Sequence, residues 1–137
     1  MKKIGFIGIG LMGLPMAKNL LKAKYELKAF NRTIKKAEPL KEFGAEISQS
    51  IKEVVSNNDI IITMLTDDTS VDQVMKDESF LDNIKPGSTV IDMSSVKPET
   101  AKFHGENLKS KNVNYLDSPV SGGTVGAEEA TLAIMVG

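Results

Sequence analysis

Apolar runs recur at residues 3–9, 26–30, 60–65, 89–93 and 113–116, separated by amphipathic stretches or by polar stretches with helix-start signals. That alternation predicts parallel strands joined by crossover helices, an α/β domain with a doubly wound parallel sheet. Residues 60–65 and 89–91 show no period of two, as expected of strands covered on both faces. A length of 137 residues suits one hydrophobic core and not two, so residues 1–137 read as a single domain.

Helix signals fill the intervals. Gly13, Ala17, Leu20 and Leu21 share one helical face after the first strand, and Pro15 fits only the first turn, where backbone amides lack partners. Ser50 and Glu53 have the spacing of a capping box. Thr69 or Ser70 can cap the stretch carrying Val71, Val74 and Met75, and Lys97-Pro98-Glu99 reads as another helix opening. Residues 131–136 read as a further strand just before Gly137. Natural domains rarely stop straight after an apolar strand, so the sequence is expected to be a fragment of a longer, two-domain protein.

Composition narrows the partners. With 17 basic and 18 acidic side chains the net charge is −1, too little field to gather nucleic acid or anionic lipid, and a small soluble ligand is expected instead. The absence of cysteine excludes disulfides and thiolate metal sites, and no metal centre is expected. The opening residues lack a secretory pattern and no run is long enough to span a membrane, so a cytoplasmic location is expected.

Gly8-Ile9-Gly10-Leu11-Met12-Gly13 gives the α/β reading its chemistry. It follows the strand ending at Ile7 and opens the helix just described, the setting in which G-x-G-x-x-G binds a dinucleotide in a Rossmann fold. Gly8 is expected to make the tight turn, Gly10 to let a pyrophosphate approach the backbone, and Gly13 to let helix meet strand closely. Free amides and the positive end of the helix dipole would face the phosphates. The alternative is a glycine-rich turn that merely connects strand to helix.

The second strand ends in Phe30-Asn31-Arg32-Thr33, where NAD-binding versions carry a carboxylate for the ribose hydroxyls. Asn31 and Thr33 can donate hydrogen bonds, and Arg32 can pair with a 2′-phosphate or lie against adenine. NADP is therefore expected over NAD. Against this stands the plainer reading that Asn31 turns the chain and Arg32 is solvated.

From Gly5 to Leu20 the chain resembles the amino-terminal signature of the 3-hydroxyisobutyrate dehydrogenase-related enzymes, within the β-hydroxyacid dehydrogenases that include 6-phosphogluconate dehydrogenase. The likeness continues through Asn31-Arg32-Thr33, Met64-Leu65, Asp92-Met93-Ser94-Ser95, residues 117–123 and residues 126–132. It implies that Met64 and Leu65 border the cofactor, that Ser95 contacts the nicotinamide or its ribose, and that Ser121-Gly122-Gly123 cradles a substrate carboxylate. Successive amides around two glycines suit an anion, although the same residues are ordinary turn chemistry. Lys24, Thr66 and Ala130 depart from residues the family commonly has (glycine, proline and glycine), and Lys24 is expected to need a left-handed backbone.

Interconverting a small hydroxy acid and its semialdehyde or oxo acid needs hydride transfer and a proton moved at the substrate oxygen. The resemblance assigns the proton to a lysine beyond Gly137 and further substrate contacts to an all-helical carboxyl-terminal domain, so no catalytic residue is expected within the chain. It also implies that the intact protein is a homo-oligomer. An imine or ketone reductase of the same ancestry and a non-catalytic NADP(H)-binding module are the alternatives. Lys97 is read as a solvated helix-start residue, His104 as a surface or packing residue, Glu128 and Glu129 as a solvated helix start, and Met12, Met16, Met64, Met75, Met93 and Met135 as core filling.

Overall fold

A computed structural model describes residues 2–136. The apolar runs form β1 (Lys3–Ile7), β2 (Glu26–Phe30), β4 (Ile60–Thr63), β5 (Thr89–Asp92) and β6 (Asn114–Asp117). With the two-residue β3 (Glu46–Ile47) they make one parallel sheet in the order β3-β2-β1-β4-β5-β6. The order reverses between β1 and β4, each run from one half pairing in register with the other: Ile4 lies beside Ile60 and Ile7 beside Thr63. This is the doubly wound Rossmann arrangement, in which ligands collect at the reversal, outside the strands' carboxyl ends.

The sheet is covered on both faces, as its unalternating strands require. One face packs Ile4, Phe6, Leu27 and Ile62 beneath α1 (Gly13–Lys22). The other packs Ile7, Ile61 and Val90 against α2 (Ile51–Val55), α3 (Asp68–Met75), α4 (Glu78–Asn83) and α5 (Pro98–Lys109). Phe80 of α4 is wholly buried there, and truncating such an aromatic costs about 3–5 kcal/mol. No helix among the described residues is long and apolar enough to cross a membrane.

Local differences from the sequence reading have physical causes. The short edge strand β3 was not expected, since two residues make no apolar run. Of residues 131–136 only Ala133–Ile134 is a strand, β8, and it pairs antiparallel with β7 (Val120–Ser121) outside the main sheet, largely exposed. Asp67, not Thr69 or Ser70, caps α3: its carboxylate accepts from the Ser70 amide at 2.8 Å, and a charged acceptor at a helix start is favoured over a hydroxyl by the dipole. Ser50 caps α2 as expected, while Glu53 reaches back to the amide of Gln49. Lys24 is left-handed at φ 73°, and so is Ala130 at φ 59°, where it ends α6 (Gly123–Glu129). Glu128 and Glu129 therefore close a helix instead of opening one. Met16, Met75 and Met93 are core residues, Met12 and Met64 are half-buried, and Met135, just after β8 and outside the main sheet, is half exposed.

Candidate functional site

The three glycines of the first turn are separated by geometry into three uses. Gly8 has φ 104°, donates its amide to the Phe30 carbonyl at 3.0 Å, and passes so close to the end of β4 that an added Cβ would lie 2.1 Å from the Met64 oxygen. At Gly13 a Cβ would lie 1.8 Å from the Gly8 oxygen, so α1 can start only where it does with no side chain there. Gly10 is exposed and a Cβ would meet nothing within 4 Å, which leaves its backbone open to a ligand. No side chain caps α1, so its first-turn amides and the positive dipole end have no side-chain acceptor. Leu11 is 84% exposed beside this opening, and Met12 is half-buried against the core.

Asn31 holds the turn to the tip of β2. Its Oδ1 accepts from the Ile9 amide at 2.9 Å and its Nδ2 donates to the Thr33 carbonyl at 3.1 Å. The sequence reading missed this role, having assigned Asn31 to the ligand. Arg32 is exposed and its guanidinium donates to Oε1 of Gln73 on α3. A cleft of about 470 Å³ opens between these elements, with Gly8, Gly10, Asn31, Arg32, Met64 and Leu65 on its walls. Lys36 and Gln73 line it too, neither anticipated from sequence because nothing in a polar stretch says which side chain will turn inward. Asp77, also on the wall, turns Oδ1 to the Ser79 amide at 2.8 Å as the cap of α4.

A second cleft, of about 690 Å³, lies on the other side of the turn, where Ile9, Gly10 and Leu11 face Thr124 and Glu128 of α6. Gly10 and Lys36 border both clefts. Asn19 fixes this wall by donating Nδ2 to the Ala127 carbonyl at 2.7 Å. Ser121, Gly122 and Gly123 immediately precede Thr124, all exposed, with φ of 135° at Gly122 and 60° at Gly123. Neither cleft is lined by Met12, Gly13, Thr33, Ser95, Ser121, Gly122 or Gly123 themselves; Ser95 is exposed on the loop after β5.

Under that loop lies a buried polar group the sequence reading did not single out. Asp92, fully buried, accepts at Oδ1 from the Thr63 hydroxyl at 2.9 Å and the Ser94 amide at 3.1 Å, and at Oδ2 from the Tyr115 hydroxyl at 3.3 Å. Burial, followed by the charges of Asp92 and Asp117, pushes the Tyr115 hydroxyl above its ordinary range, so it stays a donor. Asp117, the register partner of Asp92 across β5 and β6, is raised from the usual carboxylate value by burial and then by the Asp92 charge. His104 is 1% exposed on α5 and pairs through Nε2 with Asp72 Oδ1 at 2.7 Å, a packing residue that lines neither cleft. Lys97 is exposed at the start of α5 and lines neither cleft.

Comparison with known proteins agrees with this geometry. The family described as the NAD binding domain of 6-phosphogluconate dehydrogenase matches residues 3–137. Mitochondrial 3-hydroxyisobutyrate dehydrogenase of Drosophila melanogaster is 38% identical over 136 residues, covering 99% of this chain and 42% of the relative. The structure of 3-hydroxyisobutyrate dehydrogenase from Mycobacterium tuberculosis with L-serine superposes with TM-score 0.94 at 34% identity, over 100% of this chain and 46% of that one. An imine reductase from Myxococcus stipitatus in complex with NADP+ gives 0.85 at 25% identity, over 90% of this chain and 43% of that one. The chain thus spans about half the length of the relatives it matches. Glycine turn, strand order and sequence match together place the chain in the family of the NAD-binding domain of 6-phosphogluconate dehydrogenase.

Proposed function

We propose that residues 1–137 form the NADP-binding domain of an oxidoreductase that interconverts a small hydroxy acid and its semialdehyde or oxo acid. One observation carries the cofactor choice: the cleft that Gly10 and Asn31 line also carries the cations Arg32 and Lys36, and residues 30–33 at the tip of β2 include no carboxylate. Two cations there suit a 2′-phosphate, and an acidic residue in their place would repel it. The residues fit the dinucleotide, since the Gly10 surface is clear where a pyrophosphate must approach and the α1 amides are uncapped.

In this reading Gly8, Gly10, Leu11, Met12 and Gly13 form the pyrophosphate turn, and Asn31 holds that turn in place. Arg32, Thr33 and Lys36 take the 2′-phosphate end. Met64 and Leu65 border the path to the nicotinamide, and Ser95 contacts its ribose or ring. The nicotinamide, when bound, supplies or accepts hydride. Ser121, Gly122 and Gly123 hold the substrate carboxylate through a hydroxyl and backbone amides. A residue outside this sequence, expected to be a lysine on a helical second domain, moves the proton at the substrate oxygen, and the whole protein is a homo-oligomer. The likeness to an imine reductase favours a second reading, reduction of a C=N bond on the same cofactor platform.

Titration of the chain with NADPH and NADH tests the cofactor assignment. NADPH should bind more tightly, and Arg32→Ala should weaken NADPH roughly tenfold to a hundredfold with little effect on NADH, as expected for loss of a charge-assisted contact. Equal affinity for the two cofactors in the wild type would overturn the preference.

A further inference from the structure

Three donors from separate elements converge on one fully buried carboxyl group. Asp92, the last residue of β5, accepts from Thr63 at the end of β4, from Ser94 in its own following loop, and from Tyr115 on β6. Ser94, itself fully buried, passes the restraint on: its Oγ accepts from the Leu65 amide at 2.8 Å, fixing the loop after β4. Next to Leu65 is Met64, whose carbonyl occupies the space a Gly8 side chain would need. A continuous chain of contacts therefore runs from β6 through Asp92, Ser94 and the β4 loop to the glycine turn, across the point where the strand order reverses.

We propose that Asp92 is a positioning residue that sets the loops carrying Met64, Leu65 and Ser95 at the height the nicotinamide half of the cofactor requires. The role rests on the cofactor reading above and adds to it a residue that touches no ligand. An apolar side chain at position 92 would leave the Thr63 hydroxyl, the Ser94 amide and the half-buried Tyr115 hydroxyl without their acceptor, and the first two are buried donors that pay their full desolvation cost. The loops would then settle wherever those donors found partners. The adenosine end should follow far less, because Arg32 and Lys36 lie in the segment after β2 and Gln73 on α3, and their side chains make no hydrogen bond to Asp92, Thr63, Ser94 or Tyr115.

The test compares NADPH with adenosine 2′,5′-bisphosphate, which has the 2′-phosphate and adenosine but no nicotinamide, on the wild type and on Asp92→Ala, Asp92→Asn and Ser94→Ala, with thermal melting alongside. Asp92→Ala and Ser94→Ala should weaken NADPH about tenfold or more and leave the bisphosphate within about twofold. Asp92→Asn keeps an oxygen for Thr63 and Ser94 and should hold NADPH within about threefold of the wild type. Equal losses for both ligands, or no loss for NADPH, would overturn the proposal. If Asp92→Ala does not fold, Ser94→Ala decides by the same criterion. A wild type that binds neither ligand would overturn the cofactor reading, and this role with it.

Discussion

The Asn31 side chain accepts a hydrogen bond from the Ile9 amide at 2.9 Å, so the tip of β2 and the glycine turn move as one piece. That bond needs only an oxygen at position 31, which a carboxylate also offers. Asn31→Asp should therefore keep the bond to the glycine turn, giving up only the exposed bond from Nδ2 to the Thr33 carbonyl, while setting a negative charge beside Arg32. The expected outcome is a reversal of preference: NADPH weakened roughly tenfold or more and NADH held or improved, read from the ratio of the two dissociation constants. An unchanged ratio would mean that the 2′-phosphate does not approach this tip.

Gly10 and Gly13 look alike in the sequence and differ completely in space. At Gly13 a methyl group would lie 1.8 Å from the Gly8 carbonyl oxygen, and at Gly10 it would meet nothing within 4 Å. Gly13→Ala should cost about 1–3 kcal/mol of stability, the range for forced overpacking, and lower the melting temperature accordingly. Gly10→Ala should melt with the wild type and lose NADPH affinity, because its methyl group intrudes only on an approaching pyrophosphate. A Gly10 variant that binds NADPH normally would move the phosphates elsewhere.

Part of this site was legible because spacing alone encodes it. Gly8, Gly10 and Gly13 are fixed relative to one another by one turn and one helix start, so their uses follow from the motif. β1, β4 and β5 were legible because a strand buried on both faces must be apolar throughout. β3 was not, since Glu46–Ile47 owes its strand state to pairing with Lys28 and Ala29 and not to its own composition. Apolar character misled at residues 131–136, where the side chains of Ile134, Met135 and Val136 remain exposed. The bonds of Asn31 to Ile9 and of Asp92 to Thr63 join residues 22 and 29 apart in sequence, and no local pattern announces contacts that only the sheet creates.

Two classes of carboxyl group should respond oppositely to pH. Asp117 is raised above its ordinary value of 3.8 by burial and by Asp92. Its protonated form is favoured in the fold, so its contribution is fully present below pH 3.8 and is lost as pH rises through the higher folded value. Asp117→Asn should accordingly melt at or above the wild type at neutral pH, with the difference closing as pH falls into the carboxylate range. Asp68 is lowered, first by the Lys97 amide and then by the Thr100 hydroxyl, so its contribution is present above 3.8 and lost as pH falls through its folded value. Asp68→Asn should be less stable than the wild type at neutral pH and converge with it in acid. Melting temperatures between pH 3 and 7 separate the two signs, and parallel curves for both variants would contradict them.

His104 is the only histidine in the chain and would draw attention in any search for an acid or base. Its surroundings argue for packing: it is 1% exposed, its Nε2 lies 2.7 Å from Asp72 Oδ1, and the bond ties α5 to α3 beneath the sheet's helical cover. Removing the ring leaves both a cavity and a carboxylate oxygen without its partner, whereas an apolar residue of similar size leaves only the second defect. His104→Ala should therefore cost about 2–4 kcal/mol and His104→Leu about half as much, measured by denaturant unfolding. Neither should change NADPH affinity by more than about twofold, since the ring lines neither cleft and a twofold change is well under 1 kcal/mol. A variant that unfolds normally but binds NADPH many times more weakly would give His104 a part in the site that its position in α5 does not suggest.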